Sequence, residues 1–374
     1  MKIKPFELER YFAKYEFSAP YMLSSSDCEP LTLKEVLALA DKDSLKLWEN
    51  LWLGYTESQG HPLLREEVAK LYENISPESV LEIVPEEGIL IAMNVLLEKG
   101  DHVISTFPGY QTLYGIAESL GCSITKWLPE VRDNRWKFDI EFIRNSILKN
   151  TKLIVVNFPH NPTGALLSKE EFNEILDLAK KNNTFVFSDE MYRFLEYEES
   201  TRLPSACENY ENAISLFGLS KTFGLAGLRL GWLIAKNKEL LTQFQTFKDY
   251  TTICGSAPSE ILGIIALRSK ETIIRRNLEI IQSNVKLLDE FFGRYSNVFS
   301  WCKPDAGSIA FPELKIGKLK VYDFCQNLVK EKGVMLLPSK VYDYKGNNFR
   351  IGFGRGNMPK ALSLLEGYVL ENYK

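Results

Sequence analysis

KLIVVNFPHNPTGALLSKEEFNEILDLAKKNNTFVFSDE, residues 152–190, reads as strand, turn, helix, strand. Lys152–Asn157 and Thr184–Ser188 are short β-branched and aromatic runs without alternation, the pattern of strands buried on both faces. Between them, Ser168–Lys181 keeps helical spacing, opened by a capping box of Ser168 with Glu171 three residues on. The same rhythm extends outward. His102–Thr106, Ser123–Leu128, Ala213–Phe217 and Arg229–Ala235 are strand candidates, with helical spacing over Gly109–Gly121 and Asp139–Lys149. Strands that alternate with helices predict an α/β fold with a mostly parallel central sheet flanked by helices.

Beyond this core, Pro258–Arg294 is nearly continuous helix-like sequence, a candidate connector. Short strand candidates at Ser308–Phe311 and Asn348–Phe353 lie between helices and predict a smaller α+β domain. The first 40 or so residues lack a strand–helix rhythm and are expected to wrap onto that small domain. At 374 residues the chain exceeds what one core usually serves. The expected division is 45–275 for the large domain, with 1–44 and 276–374 together forming the small one.

Composition narrows the function. A formal net charge of -4, with no long Lys/Arg block, leaves no footprint for nucleic acid. No stretch has the roughly 18 apolar residues of a membrane span, and Met1–Phe17 lacks the apolar run of a signal peptide. The six cysteines are scattered without a C-x-x-C pair, which reads as reduced thiols in a cytoplasmic protein. His61, His102 and His160 are far apart and predict no metal site.

GLSKTFGLAGLR, residues 218–229, carries the chemistry. It resembles the lysine motif of the class I/II aminotransferases, fold-type-I enzymes that depend on pyridoxal 5'-phosphate (PLP). The resemblance implies that Lys221 holds the cofactor as a Schiff base and that Arg229 binds its phosphate. Asn161 in the turn NPTG implies a partner for the cofactor's phenolic oxygen, with a contact to substrate as well. In SDEMY, residues 188–192, Asp189 is implied to pair with the pyridine nitrogen and Tyr192 to reach the phenolic oxygen. A carboxylate at the end of a central parallel strand sits where open α/β sheets place ligands. Tyr110, in FPGY, is implied to stack on the ring. Arg350, in NFRIGF, is implied to clamp the substrate α-carboxylate in the planar fork a guanidinium offers. Tyr55, in GYTESQG, is implied to reach the phosphate of a partner subunit, which makes the enzyme a homodimer with shared active sites. Trp48 and Trp52, just before it, are expected to fill that interface.

The chain departs from the pattern in the phosphate cup and the N-terminal loop. VPEEG, residues 84–88, stands where the family has a Gly and a small residue before the helix that points at the phosphate. Pro85 suits a first helical turn, and acidic residues favour a helix N-terminus. The backbone N–H groups of Glu86 and Glu87 are therefore expected to bind phosphate while their side chains turn away. Gly218 stands where a phosphate-binding Ser is common, and Ser220 is expected to compensate. MLSSSD, residues 22–27, lacks the family's Gly. The resemblance spans about Tyr55 to Arg350 and implies amino transfer between an amino acid and a 2-oxo acid. The same motifs would serve a C–S lyase, a β/γ-replacement enzyme or a cyclising synthase, because they hold the cofactor rather than the leaving group. A PLP-binding homologue without catalysis is a further alternative.

Overall fold

The computed structural model describes residues 3–317 and 319–373. Near the amino end lies α1 (Glu7–Tyr15). The central sheet follows, with β1 (Val80–Ile83), β2 (His102–Thr106), β3 (Ser123–Trp127), β4 (Thr151–Asn157), β5 (Phe185–Asp189), β6 (Ala213–Gly218) and β7 (Gly231–Ala235). The helices used below are α2 (Pro85–Leu96), α3 (Thr112–Leu120), α4 (Lys169–Lys181), α5 (Ala257–Arg268) and α6 (Lys270–Arg294).

The spatial order is β1-β7-β6-β5-β4-β2-β3. β2, β3, β4, β5 and β6 pair in parallel, and β7 is antiparallel to both β6 and β1. Six strands therefore share one direction, and their carboxyl ends share one edge. Alternate residues of a strand enter opposite cores. In β4, Leu153 and Val155 pack with α2, while Ile154 and Val156 pack with Phe172 and Ile175 of α4. Burial on both faces is what makes these strands read as unbroken apolar runs.

The capping box at Ser168 forms as the sequence predicts. The Glu171 N–H donates to Ser168 Oγ at 3.1 Å, and the Ser168 N–H donates to Glu171 Oε2 at 2.7 Å. Three local differences stand out. The segment 258–294 is two helices, separated at Ser269, whose hydroxyl donates to the Leu39 carbonyl. The last strand begins at Gly231, because Arg229 adopts a left-handed conformation with φ of 53°. Val80–Ile83 forms an edge strand that includes buried Glu82, paired with fully buried Lys248 at 2.9 Å.

Towards the carboxyl end, Phe349–Gly352 is the middle strand of a small antiparallel sheet, between Ile309–Ala310 and Leu337–Pro338. The amino-terminal segment joins this part through a bridge from Tyr21 to Val334. Further along, the helices Leu33–Ala38 and Lys42–Glu49 pack against α5. No described helix is long and apolar enough to cross a membrane.

Candidate active site

The strand ends on the shared edge deliver the chemistry. β4 ends at Asn157, whose Oδ1 accepts the Asn161 N–H at 2.8 Å and whose Nδ2 donates to the Asp189 carbonyl at 3.0 Å. One amide thus ties the NPTG turn to the end of β5. Asp189 is buried and accepts from the Met191 N–H at 3.1 Å. Burial pushes its carboxyl up to about 7, helped by the negative charges of Glu86 and Glu190. Such a carboxylate is poised to ionise when a cation or a charged N–H comes beside it.

β6 ends at Gly218 and leads to Lys221. Its Nζ donates to Ser26 Oγ at 3.0 Å. Burial lowers its pKa, and the positive charges of Arg350 and Arg229 act in the same direction against Asp27 and Glu9. A half-buried lysine whose charged form is disfavoured gives up its proton more easily than a free one, which suits a nucleophilic amine. Arg350 is buried on the small sheet. Its Nε and Nη2 donate to the Ser24 carbonyl at 3.2 and 2.9 Å, and Nη1 donates to Asn161 Oδ1 at 3.3 Å. Tyr342 also reaches Asn161 Oδ1, at 3.4 Å.

The segment around Ser24 and Ser26 completes this cluster without any glycine. It is pinned on both sides. The Gly352 N–H donates to the Leu23 carbonyl at 2.9 Å, Ser308 Oγ donates to the Ser26 carbonyl at 2.7 Å, and the Cys28 N–H donates to the Lys221 carbonyl at 3.2 Å. Its role was hidden in the sequence, because a backbone carbonyl that orients an arginine carries no residue-type signal. Ser26, on Lys221, could be suspected only from its place in the loop that lacks the family's glycine.

The phosphate-side residues divide. The N–H groups of Glu86 and Glu87 lie in the first turn of α2, where no intrahelical acceptor exists. The Glu87 side chain turns away, accepting from the Val84 N–H at 3.3 Å and from the hydroxyls of Thr251 and Thr252. The Glu86 carboxylate does not turn away. It faces the hydroxyls of Thr112 and Tyr110, and burial raises its pKa against the pull of Arg229. The reason is local: one turn of helix places neighbouring side chains on different faces. Tyr110 packs on Phe6 of the amino-terminal segment, with ring centroids 5.0 Å apart. Arg229 is exposed, with Nη1 on the Ala226 carbonyl at 3.1 Å. Tyr55 stands outside the cluster, 83% exposed.

Buried polar atoms usually have partners. Here the hydroxyls of Tyr192 and Ser220 are buried without one. Donors without acceptors, a proton-hungry carboxylate in Asp189 and a lysine with a lowered pKa fit a phosphorylated pyridine aldehyde. Lys221 would hold its aldehyde carbon, Asp189 its ring nitrogen, and Ser220, Thr112, Arg229 and the α2 amides its phosphate.

Comparison with known proteins agrees. The family model for aminotransferase class I and II matches residues 22–365. The chain belongs to this family. It is thereby a PLP-dependent aminotransferase. A PLP-dependent aminotransferase from Streptococcus suis 89-1591 superposes with a TM-score of 0.92 at 31% identity, covering 100% of both chains. Aspartate aminotransferase of Pyrococcus horikoshii is 34% identical over 59% of this chain and 58% of its own length. Capreomycidine synthase of Streptomyces vinaceus is 28% identical over 71% of this chain and 67% of its own.

Proposed function

We propose that the chain moves an amino group from an amino acid to a 2-oxo acid, with Lys221 as the group that handles the substrate's α-proton. The observation that carries this is the position of Lys221 Nζ: half-buried, on Ser26 Oγ, and within electrostatic reach of Arg350. Arg350 takes the substrate α-carboxylate, its fork already oriented by the Ser24 carbonyl and Asn161. Asp189 supports the cofactor's ring nitrogen, Tyr192 and Asn161 its phenolic oxygen, and Tyr110 its flat face. The bound cofactor supplies an electron sink for the charge left at the α-carbon. Lys221 acts as a neutral amine and takes the α-proton on Nζ, a role that its lowered pKa suits.

The reading includes a homodimer. Trp52, Leu53 and Tyr55 on one loop, with Tyr250 and Ile253 on another, expose apolar side chains that a partner would cover. Tyr55 would then donate to the partner's cofactor phosphate. Cytoplasmic residence and the two-domain division at 45–275 belong to the same reading; the six unpaired cysteines support the first.

Mixing the holoenzyme with an amino donor and no acceptor should yield one 2-oxo acid per active site and no ammonia. Adding a 2-oxo acid should restart turnover. Free ammonia in place of transferred amine would overturn the reading. The relative named capreomycidine synthase favours one second reading, a cyclising synthase, which would release a ring product without needing an acceptor.

A further inference from the structure

The wall above Lys221 and Arg350 is α1, and its charge is one-sided. Glu9, Phe12 and Glu16 recur at three and seven residues, which puts them on one face of the helix. The Phe12 ring centroid lies 6.0 Å from the Arg350 guanidinium carbon. The charge of Glu9 acts on Lys221, Tyr110 and Tyr342, and Glu16 in turn feels Lys221 and Arg355. Phe12 thus brings this face to the rim of the site, with Glu9 half-buried there and Glu16 exposed at the helix end.

The helix is held there from both sides. The Glu7 N–H donates to Gln111 Oε1 at 3.0 Å, Gln111 Nε2 donates to the Pro5 carbonyl at 2.9 Å, and Lys4 pairs with Glu118 at 2.9 Å. On the other flank, buried Tyr11 meets Tyr322, with ring centroids 6.4 Å apart. Two buried hydroxyls beneath the helix lack partners independently of the glutamates. The hydroxyls of Tyr192 and Ser24, 3% and 0% exposed, have no hydrogen-bond partner.

The charges that weigh most on Lys221 are Asp27, Arg350, Glu9 and Arg229. Three are committed. Asp27 holds Arg355 through three contacts of 3.2, 3.0 and 2.8 Å. Arg350 is assigned to the substrate α-carboxylate and Arg229 to phosphate. Glu9 remains, and neither it nor Glu16 makes an ion pair or a side-chain hydrogen bond among the described residues. A donor with a second carboxylate would meet these glutamates with no cation left to receive it.

We propose that the amino donor carries a cationic side chain, an amine or a guanidinium, which Glu9 receives first and Glu16 seconds from the next turns of α1. This rests on the aminotransferase reading and names the substrate class for that site. A carboxylate that pairs with a guanidinium makes charge-assisted hydrogen bonds, which separates a basic donor from its neutral isostere.

The test compares arginine with citrulline, and α-methylornithine with α-methylnorvaline, on the holoenzyme. The first pair is read as the single-turnover rate against concentration. The second pair has no α-proton to lose and is read as a dissociation constant by calorimetry. Arginine should exceed citrulline in kcat/KM by about tenfold or more, and α-methylornithine should bind more tightly by a similar factor. Glu9→Gln should pull both ratios towards one, and Glu16→Gln should lower them further. Aspartate or glutamate outrunning arginine, or ratios near one in the unaltered enzyme, would overturn the inference without any variant having to fold. If no donor of any class yields a 2-oxo acid, the transfer reading fails instead, and the two dissociation constants still decide whether the lid selects a cation.

Discussion

The ring of Pro85 lies against the bare backbone of Gly218: a Cβ built on Gly218 would come within 3.1 Å of Pro85 Cγ. The same Cβ would meet Gly231 Cα and the Leu230 carbonyl, both at 2.9 Å. Two departures from the family pattern are therefore one packing arrangement. The proline that opens α2 occupies space beside the strand end where other members place a serine. Gly218→Ser should cost about 1–3 kcal/mol through overpacking. Thermal unfolding should show the loss, and Pro85→Ala should restore only part of it, because the backbone contacts remain. Unchanged stability in Gly218→Ser would refute the coupling.

Glu86 sets a second expectation. Its carboxylate faces the cup that would hold a phosphate dianion, next to Tyr110 and Thr112. Burial raises its pKa, so it stays neutral to a higher pH than an ordinary glutamate and becomes a like charge above that range. Glu86→Gln should tighten PLP binding to the apoenzyme by roughly fivefold, about 1 kcal/mol. The gain should shrink as pH falls, because protonation then neutralises the unaltered side chain too. Titration of apoenzyme with PLP, followed by fluorescence at two pH values, measures both.

The sequence showed what residue type encodes and hid what the backbone does. β4 and β5 were legible because burial on both faces demands apolar residues at every position. Asn161, Asp189 and Lys221 stood out through motifs that resemble the family's, each at or just after a strand end, and the roles the resemblance implies for them remain the proposal above. Ser24 was not: it acts through its carbonyl, which every residue has. The direction of the Glu86 side chain was hidden for a related reason. A helix start fixes which amides are free, but tertiary neighbours choose the side-chain orientation. The edge strand Val80–Ile83 escaped because Glu82 interrupts its apolar run, and only Lys248, far along the chain, makes that glutamate tolerable there.

The lowered pKa of Lys221 predicts a pH profile. The amine must be neutral to attack an aldehyde, and its folded value lies below the ordinary 10.5. The rate at which apoenzyme takes up PLP should rise with pH through that lowered value and level off before the range of a free lysine. Lys221→Ala should form no visible absorbance band from covalently held cofactor and show no turnover. A rate still climbing at pH 10 would contradict a lowered pKa for Lys221.

The last expectation concerns Glu260, buried in α5 beneath the loop that carries Tyr55. Its Oε1 accepts the His61 N–H at 2.9 Å, and Oε2 has no partner. Burial, with Glu82 adding a like charge, pushes its pKa up to about 7, from an ordinary 4.5. A carboxyl whose folded value is raised binds its proton more tightly in the folded state. The penalty is absent below the ordinary value, grows between the two, and is constant above about 7. Folding should therefore weaken as pH rises through that window. Glu260→Gln keeps an acceptor for His61 and removes the ionisation, so it should raise the melting temperature at pH 8, by on the order of 1–2 °C. At pH 5 it should change little. Scanning calorimetry on both proteins at both pH values decides it: a variant less stable than the unaltered enzyme at pH 8 would mean that the charge on Glu260 is held by Lys248 after all.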